Sequence, residues 1–151
     1  VGCAAGTATL RYLTSHKLIE RSAEMGRLMH EKLQSLSSMH GVGFLRGRGL
    51  LAGVEIVRSK GETFPREAKA AEEVLRCALA NDLVVWPNVG HVDGTLGDLV
   101  MLAPPFTVTD SELDQIVDRL GSSIKTASQR LNDSTNKDRQ VDAKRERTKS
   151  R

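Results

Sequence analysis

The chain has 151 residues, 39% of them hydrophobic and only 3% aromatic, which suits one domain with a core of aliphatic side chains. Its net charge of +3 is unevenly distributed. Residues 129–151 contain eight of the 22 Lys and Arg residues but only four of the 19 Asp and Glu residues. The rest of the chain therefore has 14 basic and 15 acidic residues and is nearly neutral. Because phosphate binding needs clustered cations, this near-neutral body argues against a nucleic-acid-binding surface on the folded part.

Two helices are predicted first. Residues 1–13 are rich in small side chains and suit a helix packed closely against a neighbour. Residues 18–39 predict a longer helix, since apolar or small side chains recur there at alternating steps of three and four. These side chains are Leu18, Ser22, Met25, Met29, Leu33 and Leu36.

A strand and a third helix follow. Residues 50–57 predict a largely buried strand, because their length and their β-branched side chains suit one. Gly47 and Gly49 precede it and are interpreted as a sharp turn into the strand. Residues 66–81 then return to helical spacing.

Two short strands and a last helix complete the folded part. Residues 83–86 and 99–102 are apolar runs separated by a Gly-rich loop, which predicts paired strands. Thr109 and Glu112 form a capping box at the start of the last helix. Beyond about Ser128 the apolar face fades into polar and charged residues, a composition that predicts a disordered tail.

The cysteines and histidines indicate no metal site. Cys3 and Cys77 are too few for a zinc knuckle or a disulfide framework, and we expect both to be buried. His91 and Asp93 are interpreted as a solvated loop pair. The cysteine usage fits a reducing, cytoplasmic compartment, and no apolar run approaches the roughly 20 residues that a membrane helix requires.

Three segments carry a family resemblance. They are GCAAGTATL at residues 2–10, RGRGLLAGVE at 46–55 and LAPPFTVTD at 102–110, the last followed by Glu112, Leu113 and Asp114. In order and spacing they are similar to three successive signatures of the class III aminotransferases. The resemblance covers roughly residues 1–126, which is everything except the tail.

The resemblance implies a fold and a domain organisation. The fold is α/β, the C-terminal small domain of a fold-type I aminotransferase, with a short, mainly antiparallel sheet packed by helices. Residues 1–14 are then a linking helix from a large domain that precedes this chain. Residues 15–127 form the small domain, and residues 128–151 form a disordered basic tail.

An activity and its partners follow from the same resemblance. It implies a homodimeric transaminase, dependent on pyridoxal phosphate, that moves an amino group between an amine or amino acid and an oxo acid. These small molecules are the expected ligands, and neither nucleic acid nor a membrane is an expected partner. The alternative is a non-catalytic remnant that acts only as a packing or association module. A third hypothesis is a binding module with a basic tail, whose binding would depend strongly on salt.

The lysines decide what chemistry is expected of this chain alone. Transamination requires a lysine that forms an imine with the cofactor and an acidic partner for the cofactor's ring nitrogen. The lysines ahead of the tail lie in connections, on polar helix faces or near a helix end; they are Lys17, Lys32, Lys60, Lys69 and Lys125. We therefore assign no catalytic or cofactor-binding residue here, and we expect the upstream part to bind pyridoxal phosphate and the fragment to be inactive alone.

Two positions are predicted to bind substrate. Many members of the family bind a substrate carboxylate with an arginine, whose guanidinium can pair with it bidentately. In one branch this arginine comes just before the proline matched by Pro87, where this chain has Trp86. In another it comes two residues before the match to Ala103, where this chain has Met101. Both arginines are thus replaced by apolar side chains, and packing is the alternative role for Trp86.

Overall fold

A computed structural model gives the fold, and it describes the backbone of residues 1–149 and the side chains of residues 1–133. The elements in chain order are α1 (Gly2–Ser15), α2 (Leu18–Leu33), β1 (Val42–Arg48), β2 (Leu51–Ile56), α3 (Ala70–Ala80), β3 (Trp86–Val89), β4 (Asp98–Leu102) and α4 (Asp110–Lys149). Short 3₁₀ segments at Gln34–Leu36 and Arg66–Ala68 follow α2 and precede α3.

The strands form one antiparallel sheet in the order β1-β2-β4-β3. This architecture confirms the predicted α/β fold with a short antiparallel sheet. Helices α2, α3 and α4 pack on one face of it, and the central side chains that the strands direct toward them are fully buried, among them Val54, Ile56 and Val100. That burial of aliphatic side chains is the main stabilising contribution available to a chain with so few aromatic residues.

Strand β1 is an element that the sequence prediction missed, because its glycines were interpreted as a turn. Gly47 lies opposite Ala52 in the sheet. A methyl group on Gly47 would lie 2.1 Å from the carbonyl oxygen of Leu51 and 2.7 Å from the ring of His30 on α2. Glycine is therefore required here because strand and helix approach closely, and the actual turn is at Gly49, which has a positive φ of 56°.

Two other boundaries differ from the prediction. Helix α2 ends at Leu33 and its 3₁₀ extension at Leu36, short of residue 39. The hydroxyls of Ser35 and Ser37 donate to the carbonyls of Lys32 and Gln34, and such bonds compete with helical ones. Strand β3 begins at Trp86, where the predicted strand ends.

The predicted capping box of the last helix is present. The backbone N–H of Thr109 donates to Glu112 Oε2 at 2.8 Å, and the N–H of Glu112 donates to Thr109 Oγ1 at 3.3 Å. Two donors that would otherwise be unpaired at the helix start are thereby satisfied.

The end of α4 differs from the predicted disordered tail. The backbone stays helical to Lys149, and Ser128 and Leu131 are only 4% and 5% exposed. Leu131 continues the apolar face of Ile124 and Ala127, and the residues beyond it include many Lys and Arg, which favour a helix. The packed part of α4 therefore extends past residue 127, while residues 150 and 151 lie outside the described part.

Helix α1 contrasts with the other helices because none of its residues is buried. Leu10 is 66% exposed, and Cys3 is exposed, so the expectation that both cysteines are buried is wrong for Cys3. Cys77 is buried as expected, and desolvation raises the pKa of its thiol. Within the described residues, no helix combines the length and apolar character needed to cross a membrane.

Candidate substrate-facing surface

Trp86 and Met101 lie side by side on the sheet. Strands β3 and β4 are antiparallel, and their register places Trp86 directly opposite Met101. Because successive side chains of a strand point to opposite faces, and Val100 and Leu102 are buried under the helices, Met101 lies on the other face. The structure thus brings the two sequence-predicted residues together, on the face opposite the helices.

We call this face the open face. Its residues are Arg46, Arg48, Leu51, Gly53, Glu55, Trp86, Asn88, Leu99 and Met101. Trp86 is 70% exposed and Leu51 49% exposed, so within the described chain neither serves to fill a core. The alternative role of Trp86 in packing has no counterpart among the described contacts, and its role in substrate binding stays a prediction.

Arg46 belongs to the same row of the sheet. It lies opposite Gly53, and Gly53 lies opposite Met101, so the row reads Arg46, Gly53, Met101, Trp86 across all four strands. Arg46 is exposed. Sequence reasoning missed this placement, although the alternation of Leu45 and Gly47 with the two arginines could have indicated a strand rather than a turn.

An apolar floor lies between the arginine and the tryptophan. A Cβ atom on Gly53 would lie 3.1 Å from a methyl group of Leu99, so the Leu99 side chain lies close beside the glycine. Leu99 and Met101 are half-buried, and Trp86 continues the apolar surface to the edge of the sheet. The open face therefore combines one cationic edge with an apolar centre, a combination suited to an amphipathic ligand.

One end of the open face is closed by the loop between β3 and β4. Glu55 is buried there: its Oε2 accepts from the N–H of Phe44 at 2.9 Å, and its Oε1 lies 3.4 Å from His91 Nε2. His91 is therefore not solvated as expected, because the loop folds back over Glu55. Asp93 is a loop residue as predicted: its Oδ1 accepts from the backbone N–H groups of Leu96 and Thr95, and these bonds hold its pKa below the usual value.

The opposite side of β4 is anchored by a buried carboxylate. Asp98 is almost completely buried; its Oδ1 accepts from the N–H of Ala71 at 3.0 Å and from Arg66 at 3.3 Å. Arg66 also pairs with Glu72 at the start of α3. These bonds tie β4 to α3 and keep the strand that carries Met101 in place.

The segment after β4 is held by an arginine on α2. Arg21 donates through Nε to the carbonyl oxygen of Phe106 at 3.0 Å and through a terminal nitrogen to that of Val108 at 2.6 Å. Pro104 and Pro105 lack backbone donors, so the sheet pairing ends there and the chain turns toward the Thr109 cap. The segment that follows Met101 is therefore held by hydrogen bonds from Arg21 as well as by the burial of Leu102 and Val108.

The lysines of the described residues differ from an imine-forming lysine in their surroundings. An imine-forming lysine is usually desolvated, which lowers its pKa. In residues 1–133 the lysines are exposed, except that Lys32 is half-buried and pairs with Asp110 and Asp114, which raise its pKa. The same residues contain no group of three or more His, Cys, Asp or Glu that could hold a metal ion.

Comparison with known proteins identifies the family. The model of the family described as Aminotransferase class-III matches residues 1–124. The chain is 39% identical over 127 residues to an uncharacterized aminotransferase of Schizosaccharomyces pombe, which covers 82% of this chain and 28% of that protein. It is 34% identical over 119 residues to 4-aminobutyrate aminotransferase of Mycobacterium tuberculosis, covering 78% of this chain and 25% of that protein.

Solved structures agree with the sequence relatives. The adenosylmethionine-8-amino-7-oxononanoate aminotransferase of Methanocaldococcus jannaschii superposes with a TM-score of 0.72 at 30% identity, covering 82% of this chain and 27% of that one. A Bacillus anthracis aminotransferase gives a TM-score of 0.72 at 29% identity, with 82% and 28% covered. The chain thus spans a little over a quarter of the length of these relatives, and it belongs to the class III aminotransferase family.

Proposed function

We propose that this chain is the substrate-facing small domain of a transaminase that moves an amino group between an amine or amino acid and an oxo acid. The observation that carries the proposal is the pairing of Trp86 with Met101 on the exposed face of the sheet. These are the two positions at which the resemblance places a carboxylate-binding arginine, and the sheet makes them neighbours. The two branches of the family would then bind the substrate carboxylate at the same place on the sheet.

The apolar pair defines the proposed substrate preference. A buried carboxylate without a cationic partner loses its hydration without compensation. Substrates with a second carboxylate are therefore disfavoured against Trp86 and Met101, and amines or donors with a single carboxylate are preferred. One relative is named for 4-aminobutyrate, an amine with a single carboxylate, which supports donors of the second kind.

Pyridoxal phosphate would supply the chemistry, which is to hold the amino group between donor and acceptor. We place its lysine, ring partner and phosphate site in the part of the protein that precedes this chain, because the lysines described here are solvated or paired. The isolated chain is then inactive. What its residues contribute is the surface against which the substrate's side chain lies.

The remaining parts of the proposal concern assembly and location. The exposed α1 is proposed as the linking helix, residues 15–127 as the small domain, and residues 128–151 as a basic tail whose first turn packs on it. We propose a homodimer, as the family resemblance implies, and a cytoplasmic location, since the two free cysteines suit a reducing compartment.

Borohydride reduction in the presence of pyridoxal phosphate tests the proposal. We expect the complete protein to be labelled stoichiometrically at one lysine upstream of Val1, and the isolated chain to show no stoichiometric label at any lysine before Ser128. Peptide mapping locates the label. A complete protein without any labelled lysine would instead support the non-catalytic remnant, and stoichiometric labelling of a lysine in this chain would contradict the assignment of the cofactor site.

A further inference from the structure

We infer that His91 is a positioning residue for the proposed substrate-binding pair, Trp86 and Met101. It acts through Glu55, to which it ties the loop of residues 90–97. This inference rests on the proposed transaminase function and deepens it, because it names the residue that fixes the geometry of the pair. The loop joins the two strands that carry the pair, so its position bears on both of them.

Strand β3 depends on such support. It has only four residues, Trp86–Val89, and it lies at the edge of the sheet, where it pairs with β4. Its second residue, Pro87, has no N–H to donate to that pairing. The position of Trp86 therefore depends on the loop that closes the hairpin as well as on the short ladder itself.

The loop closes mainly on itself and has one polar tie to the rest of the sheet. The N–H of Gly90 donates to the carbonyl oxygen of Gly97 at 2.8 Å, and the carboxylate of Asp93 accepts from N–H groups of the same loop. Within residues 1–133, the one hydrogen bond or ion pair from a side chain of this loop to another element joins His91 Nε2 to Glu55 Oε1, at 3.4 Å. Loss of this contact would leave the loop without a polar anchor on β2.

Both partners of this contact are fixed by their surroundings. The other oxygen of Glu55 accepts from the N–H of Phe44 at 2.9 Å, and the carboxylate fills the space over Gly43, where a Cβ atom would clash with it. On the loop side, Gly97 has a φ of 101°, and a Cβ atom there would lie 2.8 Å from Nδ1 of His91. The imidazole ring is therefore held between the glycine and the carboxylate, and the contact can transmit the position of β2 to the loop.

The direction of the hydrogen bond determines which substitutions test it. Carboxylate oxygens are acceptors, so His91 Nε2 is the donor to Glu55. Nδ1 of His91 is buried and has no partner among the residues whose side chains are described, so the ring makes its polar contact through Nε2. A glutamine can place an amide donor in a similar position, whereas a leucine has no donor. His91→Leu is therefore the test and His91→Gln the rescue.

Amide exchange in the complete, cofactor-loaded enzyme measures whether His91 holds the loop and β3. We expect His91→Leu to speed exchange in peptides that cover residues 86–97 by about tenfold, as for the loss of one hydrogen bond to a charged group. His91→Gln should keep the rates within about threefold of the original ones. Thr95→Ala is the matched control, since it changes an exposed side chain of the same loop, and it should leave them unchanged. Unchanged exchange in His91→Leu would overturn the inference.

Two amine donors test whether this position matters to the substrate. Hexylamine and ethylamine differ only in the length of the apolar chain, which is the part that Trp86 and Met101 are proposed to contact. We expect His91→Leu to raise KM for hexylamine about threefold to tenfold with kcat unchanged, and to alter KM for ethylamine less than about twofold. His91→Gln should restore the preference for the longer amine, and Thr95→Ala should never lose it.

A second variant tests whether His91 acts through Glu55. In a Glu55→Leu background, His91→Leu should raise KM for hexylamine by less than about twofold, because both changes remove the same contact; if Glu55→Leu does not fold, the rescue by His91→Gln carries this test. Additive effects, a failed rescue, or equal losses for both amines would overturn the inference. An enzyme that converts neither amine nor any other would refute the proposed function, and amide exchange would still decide whether His91 holds β3.

Discussion

The two faces of the sheet differ in the chemistry and exposure of their side chains. The centre of the face toward the helices consists of aliphatic side chains with no exposure, such as Val54, Ile56 and Val100. The open face carries an exposed tryptophan, an exposed leucine and two arginines that have no hydrogen bond or ion pair with residues whose side chains are described. Both faces are built by the same strands, so the alternation of side chains alone separates them.

This difference separates the residues that stabilise the domain from those that we propose to bind substrate. Burial on the helix face stabilises the fold, whereas the exposed apolar residues of the open face contribute little to it in the isolated chain. If the open face binds substrate as proposed, substitutions there change what the protein binds with little loss of stability. The three changes below test that division, from the largest expected effect to the smallest.

Two leucines on β4 give the most direct comparison. Leu102 is buried under the helices and Leu99 is half-buried on the open face. We expect Leu102→Ala to lower the free energy of unfolding by about 2–5 kcal/mol and Leu99→Ala by less than about 1.5 kcal/mol, because the second leaves no closed cavity. Urea denaturation of the chain measures both. Equal losses would show that something covers the open face in solution.

Truncations at the end of α4 test how far along this helix the hydrophobic core extends. Leu131 belongs to the core, and Arg130 pairs with Glu73 on α3. Truncation after Ser128 should therefore cost about 1.5–3 kcal/mol, close to the value for burying one leucine, whereas truncation after Asp133 should leave the unfolding free energy almost unchanged. Thermal denaturation of the two truncated chains compares them. If both melt like the original chain, Leu131 contributes nothing and the earlier boundary at residue 127 is correct.

Trp86→Arg adds a cation to the open face and tests whether donor preference changes there without a loss of stability. In the complete enzyme it should improve the use of dicarboxylate donors by about 1–3 kcal/mol in transition-state binding, roughly tenfold or more in kcat/KM, because it supplies a partner for the second carboxylate. The unfolding free energy should change by less than about 0.5 kcal/mol, since the site is exposed.

Trp86→Phe is the control for this change. It keeps an apolar ring and should leave the preference between donors where it was. If the original enzyme already uses dicarboxylates well and Trp86→Arg does not raise their kcat/KM, the second carboxylate is bound by a residue other than Trp86, and the inference from its position fails.

Local signals in the sequence determined much of this protein. The alternating steps of α2, the strand at residues 50–57 and the capping box at Thr109 depend on neighbours within a few residues, and all three are present. The three family segments likewise identified the fold. These features were predictable because their causes, periodic burial and paired backbone donors, act over short stretches of chain.

The tertiary structure alone decided which distant residues meet. The register that sets Trp86 opposite Met101, and that adds Arg46 to their row, depends on pairing between strands far apart in the chain. The burial of Leu131 and the contact between His91 and Glu55 also depend on residues far apart in the chain. β1 was not predicted for the same reason. Its glycines locally favour a turn, but β2 and α2 approach Gly47 so closely that only a glycine fits in the strand there.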